Sequence, residues 1–247
     1  MIDASSLIIP RFHDVLGDVM AHGHTHYWLF GGRGSTKSSF ISLAIVLVML
    51  ANPGANAVVV RRFSNTLRDS MFQQMTWAIA ALGLERWFRA RISPMELTYV
   101  PTGQRIVFRS ADDPLKLKGV KFTRGYCAVV WFEELDQFDG IEAVRSILNS
   151  LRRGGDDFWI FYSYNPPRTL RSWVNREKLE RERRSTPSSA KALTWMWQRR
   201  TLSGWERPSS RRRSTCARSM RPLGETSIWA MSPAQAGPSS TTSWRSA

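Results

Sequence analysis

Cysteine is scarce. The 247 residues hold two, Cys127 and Cys216, too few for a disulfide framework and lacking the spacing of metal ligands. Small disulfide-stapled domains and zinc modules are thereby excluded. Long apolar runs are missing as well. The longest, residues 43–51, falls far short of the ~18–20 residues a membrane helix needs. Polar Ser38, Ser39 and Ser42 precede it and Asn52-Pro53 stops it, so it reads as a buried helix, and no membrane association is expected. Met1 to Pro10 contain no Lys or Arg and do not read as a secretory leader; the expected location is the cytoplasm. Acidic residues are the third shortage, 20 Asp+Glu against 35 Lys+Arg, for a net charge of +15. Such an excess points to a polyanionic partner, but it is unevenly spread. Residues 1–180 carry a net +5, whereas residues 181–247 carry +10.

What is present is an alternation of strand and helix patterns. Residues 27–30 form a short apolar run ending in Gly31-Gly32, a buried strand entering a turn. Residues 38–51 read as a helix stopped by Asn52-Pro53-Gly54. The β-branched run at 57–60 reads as a second strand. Residues 65–82 show helical spacing, with Leu67, Met71, Met75 and Ile79 on one face. Residues 97–100 and 105–108 flank Pro101-Thr102-Gly103 as a hairpin. Residues 128–132 and 159–162 read as strands and 141–151 as a helix. The expected fold class is therefore α/β, with a largely parallel sheet of P-loop NTPase type flanked by helices over residues 1–180.

The sharpest motif is Gly31-Gly32-Arg33-Gly34-Ser35-Thr36-Lys37-Ser38, set between a strand and a helix. It follows the P-loop pattern G-x-x-x-x-G-K-[ST], except that Thr36 stands in place of the second glycine. Glycines let backbone N–H groups close around phosphate oxygens, and the helix N-terminus adds its positive dipole end. In that reading residues 31–38 bind ATP, Lys37 reaches the β- and γ-phosphates, and Ser38 ligates Mg²⁺. The bland alternative is a glycine-rich strand-to-helix turn, which the correctly placed Lys-Ser pair disfavours. Arg33 is either a surface arginine at a loop tip or a finger placed in cis on the γ-phosphate.

Two carboxylates, Glu133 and Glu134, end the apolar strand that begins near Cys127. This is a Walker B layout, in which Glu133 would hold Mg²⁺ and Glu134 would act as general base on the attacking water. Taken alone, the pair reads better as solvated acids; a P-loop upstream in the same α/β chain reverses that. Asn165, at the end of the next strand, is a candidate for contacting the γ-phosphate and coupling its loss to motion, although Asn165-Pro166-Pro167 would favour a turn in any protein.

Together these stretches resemble the terminase large subunits of tailed phages, especially the PBSX-like group. The resemblance covers roughly residues 25–178. It adds Val59-Val60-Arg61-Arg62, Asn65-Thr66-Leu67-Arg68-Asp69-Ser70, Asp112-Asp113-Pro114 with Lys116, Lys118 and Gly119, and Tyr164-Asn165-Pro166-Pro167 to the motifs above, in the family's order. It implies an ATPase that threads double-stranded DNA into a procapsid, together with a terminase small subunit, a portal and a homo-oligomeric ring. It also implies a C-terminal nuclease built on acidic metal ligands. Residues 181–247 hold only Glu182, Glu206 and Glu225, so no nuclease is expected of them.

Those residues change character. They contain 12 Arg, 14 Ser, 5 Trp and 5 Pro without a persistent pattern, and are expected to form a disordered or poorly folded basic tail. A shifted reading frame explains the composition. Because Trp and Met have single codons, the shift forces Asp from Trp195-Met196, Val from Met196-Trp197 and Gly from Trp229-Ala230, and the shifted pattern regains an amphipathic helix. The change of frame is expected between residues 178 and 191. Two competing readings remain at this level. One is a non-specific nucleic-acid-binding protein with a vestigial P-loop, whose tail does the binding. The other is a different P-loop enzyme such as a helicase or small-molecule kinase.

Overall fold

The computed structural model describes residues 4–112, 117–184 and 192–197. Asp113, Pro114 and Lys116, singled out above, lie outside the described residues, as does the tail beyond residue 197.

Eight strands form one sheet in the order β3-β4-β5-β2-β6-β7-β1-β8. Strands β1 (His26–Gly31), β2 (Ala55–Arg61), β5 (Gln104–Ser110), β6 (Tyr126–Glu133), β7 (Trp159–Tyr164) and β8 (Ala192–Trp197) all run parallel. The antiparallel ribbon of β3 (Phe88–Arg91) and β4 (Glu96–Tyr99) extends the β5 edge. β1, β2, β6 and β7 are apolar nearly throughout because both sheet faces are covered, which removes the alternation of a half-exposed strand.

The pleat sends successive residues to opposite cores. Tyr27, Leu29, Val59, Trp131 and Phe161 face a layer of α1 (His13–Met20), α2 (Lys37–Ala51) and α3 (Gln73–Ala81). Trp28, Phe30, Val60, Phe132 and Tyr162 face α4 (Ile141–Leu151) and α5 (Trp173–Arg184). α2 shows no polar stripe because it lies between the sheet and the helices α1 and α3. Ser42 is fully buried within it, and its hydroxyl donates to the Ser39 carbonyl at 2.9 Å.

The structure departs from the sequence pattern in three places. The helix expected over 65–82 is a 3₁₀ turn (Ser64–Thr66), a π-helical turn (Leu67–Phe72) and then α3. Arg61 Nη1 donates to Ser70 Oγ at 2.6 Å, which ties the widened turn to the end of β2. Next, α5 continues to Arg184 and β8 pairs with β1 from His26↔Ala192 to Gly31↔Trp197, so regular structure runs past residue 180. Without β8 the β1 edge would expose unpaired N–H and C=O groups, and the apolar run at 192–197 completes it. Finally, α1 and β3 are too short to register in periodicity. No helix among the described residues is long and apolar enough to cross a membrane.

Candidate nucleotide site

Open parallel sheets bind ligands beyond the carboxyl ends of their strands. Register pairs Phe30 with Tyr164 and Glu133 with Ser163, so β1, β6 and β7 end at one level. The loop after β1, the carboxylates after β6 and Asn165 after β7 therefore meet. They line one cleft of about 330 Å³ that includes Arg33, Lys37, Ser38, Glu133, Glu134 and Asn165.

Lys37 occupies the centre of the loop and is 8% exposed. Its Nζ donates to the carbonyls of Gly31 (3.0 Å) and Gly32 (3.3 Å), to Ser35 Oγ (2.7 Å) and to Asn165 Oδ1 (3.1 Å). Burial lowers its pKa, opposed by the negative fields of Glu133 and Asp136. Thr36 adopts the left-handed conformation, with φ +56° and ψ +14°, at the position where the motif has glycine. A β-branched residue there costs roughly 1–2 kcal/mol. Gly34, at φ +73°, makes the other tight bend of the loop. The Thr36 carbonyl accepts the Phe40 N–H at 2.9 Å, so α2 starts directly from this turn. Ser38, in the first turn of α2, and Arg33, exposed at the loop tip, both border the cleft.

The carboxylates carry a partner that sequence reasoning missed as a site residue. Arg61 ends β2, the strand beside β6, and is 6% exposed. Its Nε lies 2.9 Å from Glu133 Oε2, and its Nη2 pairs with Glu134 Oε2. Burial pushes the Glu133 carboxyl up to about 7 despite the pull of Arg61. Burial also raises the Asp136 pKa, and the neighbouring Glu134 adds to the rise. Glu134 sits in a left-handed conformation, φ +54°, where the strand turns off into a short 3₁₀ segment. In sequence Arg61 appeared only as an arginine ending a β-branched strand and as part of the Val59-Val60-Arg61-Arg62 stretch of the family resemblance, with no role attached. Its meaning depends on β2 lying next to β6, which spacing does not reveal. Ser163 is held by the buried Trp131, whose Nε1 donates to Ser163 Oγ at 2.9 Å.

A parallel sheet with a glycine-rich phosphate-type loop, a buried lysine and paired acids at aligned strand ends defines an α/β protein of the P-loop class. Residues 23–196 match the family described as phage terminase large subunit. The terminase large subunit of Bacillus phage SPP1 is 40% identical over 176 residues, 70% of this chain and 42% of that protein. The PBSX phage terminase large subunit of Bacillus subtilis strain 168 is 32% identical over 177 residues, 72% of this chain and 38% of that protein. The large terminase of a thermophilic bacteriophage shares the fold at 13% identity, with a TM-score of 0.56 over 73% of this chain and 44% of that one. The complex of that large terminase with ADP gives a TM-score of 0.52 at 14% identity, over 74% of this chain and 44% of that one. The chain belongs to the phage terminase large subunit family. It spans about two fifths of the length of the curated relatives it matches. The family match runs through α5 and into β8, past the interval 178–191 in which a change of reading frame was expected.

Proposed function

We propose that this chain is the ATP-hydrolysing motor domain of a DNA-packaging terminase. The observation that carries the reading is the convergence on one cleft of the residue 31–38 loop, Glu133, Glu134 and Asn165, with Lys37 bonded across it to Asn165. The ADP complex of the thermophilic phage's large terminase, which has the same fold, supports a nucleotide as the ligand.

When ATP enters, Lys37 exchanges its carbonyl and hydroxyl acceptors for phosphate oxygens, and backbone N–H groups of residues 32–38 close around them. Ser38 and Glu133, which both line the cleft, offer hard oxygen donors, a set suited to Mg²⁺. Mg²⁺ held there would neutralise charge on the phosphates. Glu134 orients the attacking water and accepts its proton, while Arg61 fixes both carboxylates. Arg33, exposed at the loop tip beside the cleft, acts on the γ-phosphate in this reading. Asn165, released by Lys37 or by the departing phosphate, reports the nucleotide state along β7. Double-stranded DNA is the substrate moved. The small subunit, the portal and further copies of the chain in a ring are the partners that family membership implies, and the work is done in the host cytoplasm.

Glu134→Gln keeps size and hydrogen bonding but removes the base. ATP affinity by calorimetry should change less than about threefold, and hydrolysis should fall on the order of 10²-fold or more. If Glu133→Gln alone abolishes turnover and leaves Mg²⁺-dependent binding intact, the two roles are exchanged.

A further inference from the structure

The β3–β4–β5 ribbon has two unlike faces. Leu97 and Ile106 are buried against the helical layer of α3, with Phe88 packed beside them. Register sends the alternate residues to the other side. There Arg89 aligns with Thr98 and Arg105, and Arg91 aligns with Glu96 and Val107. Arg109, two residues beyond Val107, shares that side. Arg105 Nη2 donates to the Lys121 carbonyl, which brings the exposed Lys121 alongside.

The charge balance on this face is one-sided. Among the described residues Glu96 is the acid within ion-pair reach, 3.3 Å from Arg105 and 3.9 Å from Arg91. It cannot neutralise four arginines. Arg89 and Arg91 are exposed, stand about 7 Å apart along one strand, and with Glu96, Thr98 and Val100 line a shallow cleft of about 350 Å³. Protecting an edge ribbon from aggregation needs charge of either sign. Like charges gathered on adjacent strands work against folding; burial lowers the Arg109 pKa, Glu96 opposes that shift, and Arg105 adds a smaller push downward.

We infer that this face, centred on Arg89 and Arg91, contacts the phosphate backbone of duplex DNA. It takes the choice of duplex DNA from the function proposed above and is independent of the nucleotide site. Guanidinium groups on a rigid ribbon make bidentate bonds to phosphate oxygens and carry no base specificity. The contact therefore suits a protein that must hold any sequence.

The test uses the full chain and a random-sequence duplex, with affinity measured as a function of salt. Arg89→Ala/Arg91→Ala should weaken binding on the order of tenfold and reduce the slope of log K against log salt by about 2, one for each lost phosphate contact. Arg11→Glu removes the same net charge from the opposite layer and should leave the slope within about half a unit. ATP affinity should be unchanged in both, which shows that they fold. An unchanged slope in the double variant overturns the assignment, as does an equal loss in Arg11→Glu, since net charge alone would then explain the binding. Failure of the unaltered chain to bind duplex DNA at low salt would instead overturn the DNA reading itself.

Discussion

At the scale of single residues the site is built from groups held in uncomfortable states. Thr36 and Glu134 both sit at positive φ, Lys37 is buried and Glu133 partly buried, each with its pKa moved by that burial, and Arg61 is shared between two acids. Such strain gathers where function requires a particular geometry. Thr36 offers a direct check. Thr36→Gly relieves the left-handed conformation, and the protein should gain about 1 kcal/mol of unfolding free energy in denaturant titration without losing ATP affinity. A loss of stability would mean that the threonine side chain holds the loop together. The loop and the acid pair were legible in sequence because their chemistry is carried by contiguous residues. Arg61 was not, since its role arises from strand order, and neither was the Lys37–Asn165 bond, which joins residues far apart in the chain.

At the scale of elements, β1 is the strand on which the site depends, and α5 braces it. Lys178 Nζ lies 4.3 Å from the Phe30 ring centroid, and the Arg181 guanidinium 4.5 Å from that of Trp28. At the other end of β1, His26 Nδ1 lies 3.0 Å from the Tyr162 hydroxyl. Burial pushes the His26 pKa down to about 4, helped by the positive fields of Arg181 and Arg152. The unfolded chain, with an ordinary histidine near 6.5, then binds the proton more readily than the folded one. Stability should be complete above about pH 6.5 and fall as pH drops toward 4, by about 3 kcal/mol in all. Denaturant midpoints at pH 7 and pH 5 should differ less in His26→Gln than in the unaltered protein; equal differences would remove His26 as the cause. The central strands and α2 were readable because burial on both sheet faces leaves unbroken apolar runs. The Leu67–Phe72 turn departed from its helical spacing through the Arg61–Ser70 bond. β8 was hidden because a six-residue apolar run is lost in surroundings rich in Arg and Ser.

At the scale of the whole molecule, charge is concentrated where sequence pattern is weakest. Residues 181–247 carry a net +10 of the +15. We propose that the reading frame changes between residues 178 and 191, and that the affinity for DNA of the residues after it comes from composition alone. Scrambling residues 198–247 should leave DNA affinity and its salt dependence unchanged within about twofold; a larger loss would show that the order of those residues matters. The central claim, however, concerns ATP, and Lys37 tests it most directly. Calorimetric titration of the full chain with Mg-ATP should show saturable binding that Lys37→Ala reduces on the order of 10²-fold or more, because the variant loses the lysine charge assigned to the β- and γ-phosphates. Unchanged ATP affinity in a folded Lys37→Ala protein would contradict the assignment of residues 31–38 as the phosphate cradle, and with it the motor function.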